Sequence, residues 1–341
     1  MKDILLPKIR DYIITIIGIS IISFLIIRLI PGDPVTLMLG ERGASPEVIK
    51  TLHENLGLDR PLYVQYFKFI TSALQGDLGS SYLTNQKVTH EFLSRFPATL
   101  ELGICSMLFA IILGIPCGVF AAVKRNSFFD YFLMSSSLTG YSMPIFWWAL
   151  ILIIVFSVGM GITPVAGRIN IAYDIDYITG FLLIDTLINP ELIEEEGFKP
   201  FFSALHHLIL PAITMGTIPL AVIARMTRSS MLEVLGEPYI MAARARGLTD
   251  FKLHFFHALK NALIPIVTVI GLLFGSIVTG AILTETIYSW PGIGKWLVAS
   301  IFAHDYPSIQ GAILFIAIII VSINLFVDIL YGFINPRMRN Q

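Results

Sequence analysis

"EPYIMAARARGLTDFKLHFFHALKNALIP", Glu237 to Pro265, is a basic interruption in a very apolar chain. It carries Arg244, Arg246, Lys252 and Lys260, whereas 55% of the 341 residues are hydrophobic and only 14% are charged. Soluble domains carry about one quarter charged residues, so the deficit marks lipid as the solvent. The fold then depends on where this polar stretch lies relative to the membrane.

Working outward from it, six windows are apolar for about 20 residues, enough to cross roughly 30 Å of hydrocarbon. They fall at 9–30, 100–123, 132–158, 205–228, 263–284 and 309–334. The fourth is interrupted by Pro211, Gly216 and Pro219, breaks that lipid tolerates where neighbouring helices or a water-filled path satisfy the freed carbonyls. The first has the basic flank of a signal peptide (Lys2, Lys8, Arg10). Its apolar run is long and no small-x-small cleavage site follows, so it reads as a retained helix. The expected fold class is an all-α integral membrane protein of six transmembrane helices. Residues 31–98 form a segment outside the membrane between the first two, and 97–330 form the helical core.

Lys and Arg near the span ends set orientation. With the N-terminus inside, one side collects Lys2, Lys8, Arg10, Lys124, Arg125, Arg225, Arg228, Arg244, Arg246, Lys252, Lys260, Arg337 and Arg339. The other side gathers acids, with Asp174, Asp176, Asp185, Glu191, Glu194, Glu195 and Glu196 in one loop. Both termini, and the loop 229–262 that contains the opening stretch, are therefore expected in the cytoplasm. In the outer segment Pro61 suits a first helical turn, and Leu62, Tyr66, Phe69, Ile70 and Ala73 then share one face of an amphipathic helix. That helix reads either as lying on the membrane or packed over the bundle, or as a cover on the outer mouth that also meets a partner. "TGFLLIDTLI" is too short to span and reads as an interfacial, re-entrant or contact segment.

Within the opening stretch, Pro238 suits the first helical position and Gly247 the left-handed position after a helix end. Between them lies a helix of two to three turns, about 13 Å long. Ala242, Ala243 and Ala245 keep part of its surface low enough for another protein's backbone to approach. Arg244 and Arg246 near its C-terminus complement the helix dipole, and Thr249 suits the N-cap of a second helix leading to Pro265. Two readings stay open: a surface helix whose arginines meet anionic headgroups, and a short stiff lever pushed by a partner.

The stretch resembles the cytoplasmic loop of ATP-binding-cassette importer permeases, whose signature is Glu-Ala-Ala, three residues, then Gly. Ala242, Ala243 and Gly247 match it and Met241 stands in place of the Glu. Pro265 follows Gly247 by a longer interval than in the sugar-permease branch, as in the peptide and nickel branch. "IPGDP", "LGLDRPLYVQY", "FPATLEL", "RMTRSSMLEVLGEPYI", "AILTETIYSWPGIG", "DYPSIQG" and "INPRMR" agree, so the resemblance to the B-type permease subunit covers nearly the whole chain. "PVAGRI" and "TGFLLIDTLI" are most similar to the dipeptide permeases of that branch.

The resemblance implies a type I importer fold and a multi-pass protein of the bacterial inner membrane. It implies four kinds of partner: membrane lipid, a homologous second permease subunit, two cytoplasmic ATPase subunits, and a periplasmic or lipid-anchored substrate-binding protein. ATP and magnesium would be used by the ATPase subunits, with no cofactor bound by this chain. The short helix becomes the coupling element, with Glu237, Tyr239, Ala242, Ala243, Arg244, Arg246 and Gly247 as the residues facing the ATPase. The cargo implied is dipeptides or short peptides, with nickel chelates, haem or glutathione as the alternative.

Absent motifs agree. No G-x-x-x-x-G-K-[ST] loop occurs, and "PGIGKW" lacks both its spacing and its hydroxyl. H-E-x-x-H and G-x-S-x-G are also missing, which disfavours a membrane-embedded enzyme. An ion-coupled carrier acting alone predicts an internal repeat and acids near mid-span; no repeat is found, and the charges cluster at the span ends.

Charged residues near the spans need reasons, because an acid or base at mid-bilayer costs about 2.5–3.5 kcal/mol. Arg28 snorkels, Glu101 lies at the outer interface, and Arg225 and Arg228 follow the positive-inside bias. Glu285 and Asp328 are harder to dismiss and read as intramembrane residues with a structural or gating role. His206 and His207 point about 100° apart and do not share a metal ion. Cys105 and Cys117 would stand about 18 Å apart on one helix, too far for a disulfide.

Overall fold

The computed structural model describes residues 2–29, 35 and 45–334. "IPGDP" at 30–34, Arg337 and Arg339 lie outside the described residues, as do the side chains of Lys2 and Asp328.

The chain runs through α1 (Lys2–Leu29), α2 (Pro46–Leu56), α3 (Leu62–Leu74), α4 (Val88–Val123), α5 (Phe128–Ser142) and α6 (Ile145–Leu152). A π-helical turn (Ile153–Gly159) extends α6, and α7 (Leu182–Ile188) and α8 (Pro190–Glu196) follow. Next come α9 (Lys199–Leu235), α10 (Pro238–Ala245), a second π-helical turn (Lys252–Ala258), α11 (Leu259–Ile287), α12 (Ile293–Phe302) and α13 (Tyr306–Ile334). Among the described residues five stretches are long and apolar enough to cross a membrane, and the bent pair α5–α6 brings the number to as many as six.

Two windows differ from their sequence reading. Residues 132–158 are not one rod, because α5 and α6 meet at a bend of 110°. Pro144 has no N–H to offer the preceding turn, and Met143 before it is extended at φ −77°, ψ 131°. Conversely, Pro211 and Pro219 do not interrupt α9, which is continuous for 37 residues. At 1.5 Å per residue it is about 55 Å long, well beyond the hydrocarbon thickness. It is also the most enclosed span, so its neighbours shield the carbonyls that its prolines leave without donors.

α4 and α9 form the centre of the core, seated so closely that glycine is required between them. A Cβ on Gly118 would come within 2.5 Å of Thr227 Cβ and 2.6 Å of the Ala224 carbonyl. Small residues permit this approach, and dispersion between closely packed helices replaces the hydrophobic drive that lipid cannot supply.

The segment between α1 and α4 packs on the bundle. Tyr66 of α3 meets Phe24 of α1 edge-on at 5.4 Å. Leu78, Val88 and Phe92 cluster with Trp296 and Ile309. Buried Asp305 accepts from Ser81 Oγ at 2.5 Å and from the Tyr82 N–H at 3.0 Å, which fixes the intervening loop. Burial, with Asp305 nearby, pushes the Tyr82 phenol above its ordinary value. In the acidic loop, Asp185 of α7 accepts from the Thr179 and Gly180 N–H groups at 2.8 and 2.9 Å. The "TGFLLIDTLI" island is thus a folded turn and short helix.

Candidate functional site

α10 is the short helix expected from the brackets at Pro238 and Gly247, and both brackets act as their chemistry dictates. Pro238 is in the first turn. Gly247 takes φ +80°, its N–H donates to the Arg244 carbonyl at 2.9 Å, and the Leu248 N–H reaches the Ala243 carbonyl at 3.5 Å. Those two bonds are the Schellman pattern, which consumes carbonyls that would otherwise lack partners. Leu248 then packs against the main core.

Ile240 and Ala243, one turn apart, seat α10 on the bundle and are only 2% and 5% exposed. They join Leu253, Ala258, Ala262 and Met231 in the main core. Fully burying an isoleucine is worth about 1.5–3 kcal/mol, so this helix is anchored although it is far too short to be stable alone. The Tyr239 hydroxyl accepts a 2.6 Å bond from Asn261 Nδ2. The second π-helical turn connects α10 to α11, and the Thr249 carbonyl accepts from the Leu253 N–H where an N-cap was expected.

The residues assigned to partner contact divide accordingly. Glu237, Ala242, Arg244, Arg246 and Gly247 are exposed, together with Met241, Ala245, Lys252 and Lys260. Ala243 is a correction: it faces its own bundle, so the low outer surface is made by Ala242 and Ala245 alone. Tyr239 is partly engaged within the chain. Glu237 occupies the N-cap position without a side-chain cap bond. Ile240 and Asn261 were missed as parts of this site. The i, i+3 spacing of Ile240 and Ala243 is the signal that could have shown the inner face.

A second constellation lies at the other end of α11. Glu285 is completely buried. Its carboxylate accepts from Thr99 Oγ1 at 2.5 Å and from the Gly294 and Lys295 N–H groups at 2.7 and 3.0 Å. Thr99 Oγ1 in turn accepts from the Ile293 N–H at 2.9 Å. The carboxylate therefore caps the start of α12, where free N–H groups and the dipole favour negative charge. "PGIG" makes room for it, since a Cβ on Gly292 would stand 2.2 Å from Glu285 Oε1. Nearby, Trp290 Nε1 donates to the Ala98 carbonyl at 2.9 Å and Tyr288 shares a 2.9 Å bond with Thr214. Asp328 lies on α13, and its side chain is outside the described residues.

Other readings shift in detail. Glu101 is paired with Arg168 at 2.6 Å, both buried, and also accepts from the Leu183 N–H at 2.7 Å. The outer interface thus does not account for it. Arg228 binds buried Asp130 of α5, with a 2.7 Å bond from Nη2, so it has a partner as well as a favourable side. Arg28 stacks on Phe24 at 3.5 Å and donates to Gln65. His206 and His207 turn to separate carbonyls, of Ile162 and Ser203, and no metal-binding cluster occurs among the described residues.

Residues 114–340 match the family described as "Binding-protein-dependent transport system inner membrane component". Residues 1–103 match the N-terminal part described for the same class of membrane component. The chain is 55% identical to the di/tripeptide transport system permease protein DppB of Pseudomonas aeruginosa, over 96% of each chain. It is 52% identical over the full length of both to the dipeptide transport system permease protein DppB of Escherichia coli. The glutathione transport system permease protein GsiC of Salmonella paratyphi A is 37% identical over 99% of each.

Proposed function

The chain belongs to the family of inner-membrane components of binding-protein-dependent transport systems, and from that membership we propose that it carries dipeptides and short peptides inward, driven through α10 by ATP hydrolysed on partner subunits. It is the non-catalytic membrane subunit of an ATP-binding-cassette importer and a multi-pass protein of the bacterial inner membrane. Such a permease works in a complex with ATPase and binding-protein partners. An ion-coupled carrier acting alone does not fit this membership.

The single observation that carries the coupling is the construction of α10. Its inner residues, Ile240 and Ala243, are held by the core, while Met241, Ala242, Arg244 and Arg246 face outward. A groove on an ATPase that closes on the outer residues moves the inner ones with them. The Tyr239–Asn261 bond passes that motion to α11. Both termini and this loop face the cytoplasm, which agrees with the distribution of Lys and Arg. A homologous second permease completes the path, two ATPase subunits use ATP and magnesium, and a periplasmic or lipid-anchored protein delivers cargo. This chain itself binds no cofactor.

The cargo rests on full-length similarity to permeases named for dipeptides and for di/tripeptides. The relative named for glutathione, a tripeptide, favours one second reading, glutathione carried by the same machinery. Reconstitution in vesicles tests the proposal. With its second permease, ATPase and binding-protein partners, the chain should accumulate labelled dialanine only when ATP is supplied. Uptake by the isolated chain on an ion gradient, or glutathione uptake without dialanine uptake, would overturn it.

A further inference from the structure

Three cations converge beside the end of α1, and none of them forms an ion pair among the described residues. Arg28, Arg60 and Lys68, with Gln65, Ser72 and Asp77, line a pocket of about 230 Å³. Gly57, at φ +69°, forms part of its wall. A Cβ there would lie 4.0 Å from both Arg60 Nε and Lys68 Nζ, so the two cationic groups flank one point. Gln65 cannot neutralise them. Its oxygen accepts from Arg28 at 3.1 and 2.8 Å, and its amide donates to the Leu58 and Arg60 carbonyls at 3.2 and 2.7 Å. Asp77 is the one carboxylate among the lining residues, and it accepts from the Gly79 N–H at 3.2 Å. Three cations against one acid leave the pocket strongly positive.

α1 sets the depth of this pocket. Its apolar window is Pro7–Ile26, and Arg28 follows two residues later. α3 crosses α1 there. Tyr66 bonds Ser20 at 2.8 Å, and Phe69 lies 6.2 Å from Phe24. α3 is thus level with the last apolar turn of a membrane-spanning helix. Away from α1, α3 presents Tyr63, Phe67 and Leu74, which are 68%, 66% and 83% exposed. With Ile70 they occupy the positions i, i+4, i+7 and i+11, a single apolar line. α1 exposes Ile21, Ile22 and Leu25 at the same level. An apolar line on one side and cations on the other is the composition of a helix lying in the membrane interface.

We propose that α3 lies in the bilayer interface and that the pocket formed by Arg28, Arg60 and Lys68 binds the phosphate of an anionic phospholipid headgroup. The guanidinium groups present paired donors to phosphate oxygens, and Lys68 adds a point charge. The apolar line fixes the acyl side of the same contact. A lipid fits both halves, whereas a soluble anion uses only the cations.

The test is a titration of detergent-solubilised full-length chain with short-chain phosphatidylglycerol, short-chain phosphatidylcholine and inorganic phosphate. Phosphatidylglycerol should bind well above the other two. Each removed cation should weaken it about fivefold, so Arg60→Gln/Lys68→Gln should bind about 25-fold more weakly. Phe67→Ser, which keeps every cation, should also weaken it. Should the double variant fail to fold, the roughly fivefold loss is read from Lys68→Gln alone. Equal affinity for the two lipids, unchanged binding in the charge variants, or phosphate binding as tightly as phosphatidylglycerol would overturn the proposal. So would burial of Lys68 by the external binding protein in the complete transporter, with lipid excluded.

Discussion

Tyr239 and Asn261 are joined by a 2.6 Å hydrogen bond from the asparagine amide to the tyrosine hydroxyl, which fastens α10 to the first turn of α11. A net hydrogen bond of this kind is worth about 1 kcal/mol, too little to decide folding but enough to shift a two-state linkage about fivefold. Tyr239→Phe should therefore leave insertion and ATP hydrolysis intact while lowering dipeptide uptake per ATP about fivefold. Asn261→Ala should do the same, and the double variant should be no worse than either single. Additive losses in the double variant would separate the two residues.

Gly247 tests the cap of α10 without disturbing packing. Its φ of +80° is unfavourable for any side chain, yet nothing lies within 4 Å of an added Cβ. Gly247→Ala should thus cost only backbone strain, about 1–2 kcal/mol, concentrated at the end of the helix. Thermal unfolding of the purified chain should shift little, while protection of the α10 amides in hydrogen exchange should fall. A large global destabilisation would mean that the glycine is needed for space.

At Gly292 the expectation reverses. A Cβ would enter the Glu285 carboxylate at 2.2 Å, although the residue has an ordinary extended backbone. Gly292→Ala should displace a buried carboxylate from the three groups that solvate it, a loss of more than about 3 kcal/mol. Gly236→Ala is the control, since its nearest neighbour would be 3.4 Å away at a φ of −80°. Thermal midpoints of the two variants in one detergent make the comparison, and equal midpoints would count against the Glu285 cap.

The Arg168–Glu101 pair predicts a rescue. Removing one partner of a buried pair strands the other charge at a cost of about 3–5 kcal/mol, whereas replacing both with apolar or neutral groups is often tolerated. Arg168→Met should markedly destabilise the loop that holds α7. Adding Glu101→Gln should recover part of that loss, measured as resistance of the 160–198 loop to protease. No recovery would place the weight on the Arg168 bond to the Gly180 carbonyl, which is 2.8 Å long.

Sequence reveals the parts of this molecule whose causes are local. Pro238 and Gly247 dictate a short helix by their own backbone chemistry, and its ends fall where those residues put them. The alanines between them do not reveal which side is inner. Ala242, Ala243 and Ala245 are chemically alike, and only the i, i+3 spacing from Ile240 marks Ala243 as the one that joins the core. The effect of a proline depends on its surroundings, which composition does not show. Pro211 and Pro219 sit inside an enclosed helix and leave it whole, while Pro144 ends α5 at a bend of 110°. The charged residues were the least legible. Glu101 and Arg168 are 67 positions apart, Arg228 and Asp130 are 98 apart, and no periodicity joins such pairs. The interrupted "PGIG" was recognisable as a motif, but its reason, space for Glu285, exists only in three dimensions.

If a partner ATPase grips the outer face of α10, the two must lie within crosslinking distance. In the reconstituted transporter, with Cys105 and Cys117 replaced by alanine, a photo-crosslinker attached to Ala242→Cys should capture the ATPase subunit. The same reagent at Leu272→Cys, an exposed position on α11, should not. Capture at Ala242 that changes in yield with ATP is the predicted result. ATP-driven dipeptide uptake in full, with lipid adducts and no ATPase captured at Ala242, would mean that the outer face of α10 meets lipid and not an ATPase.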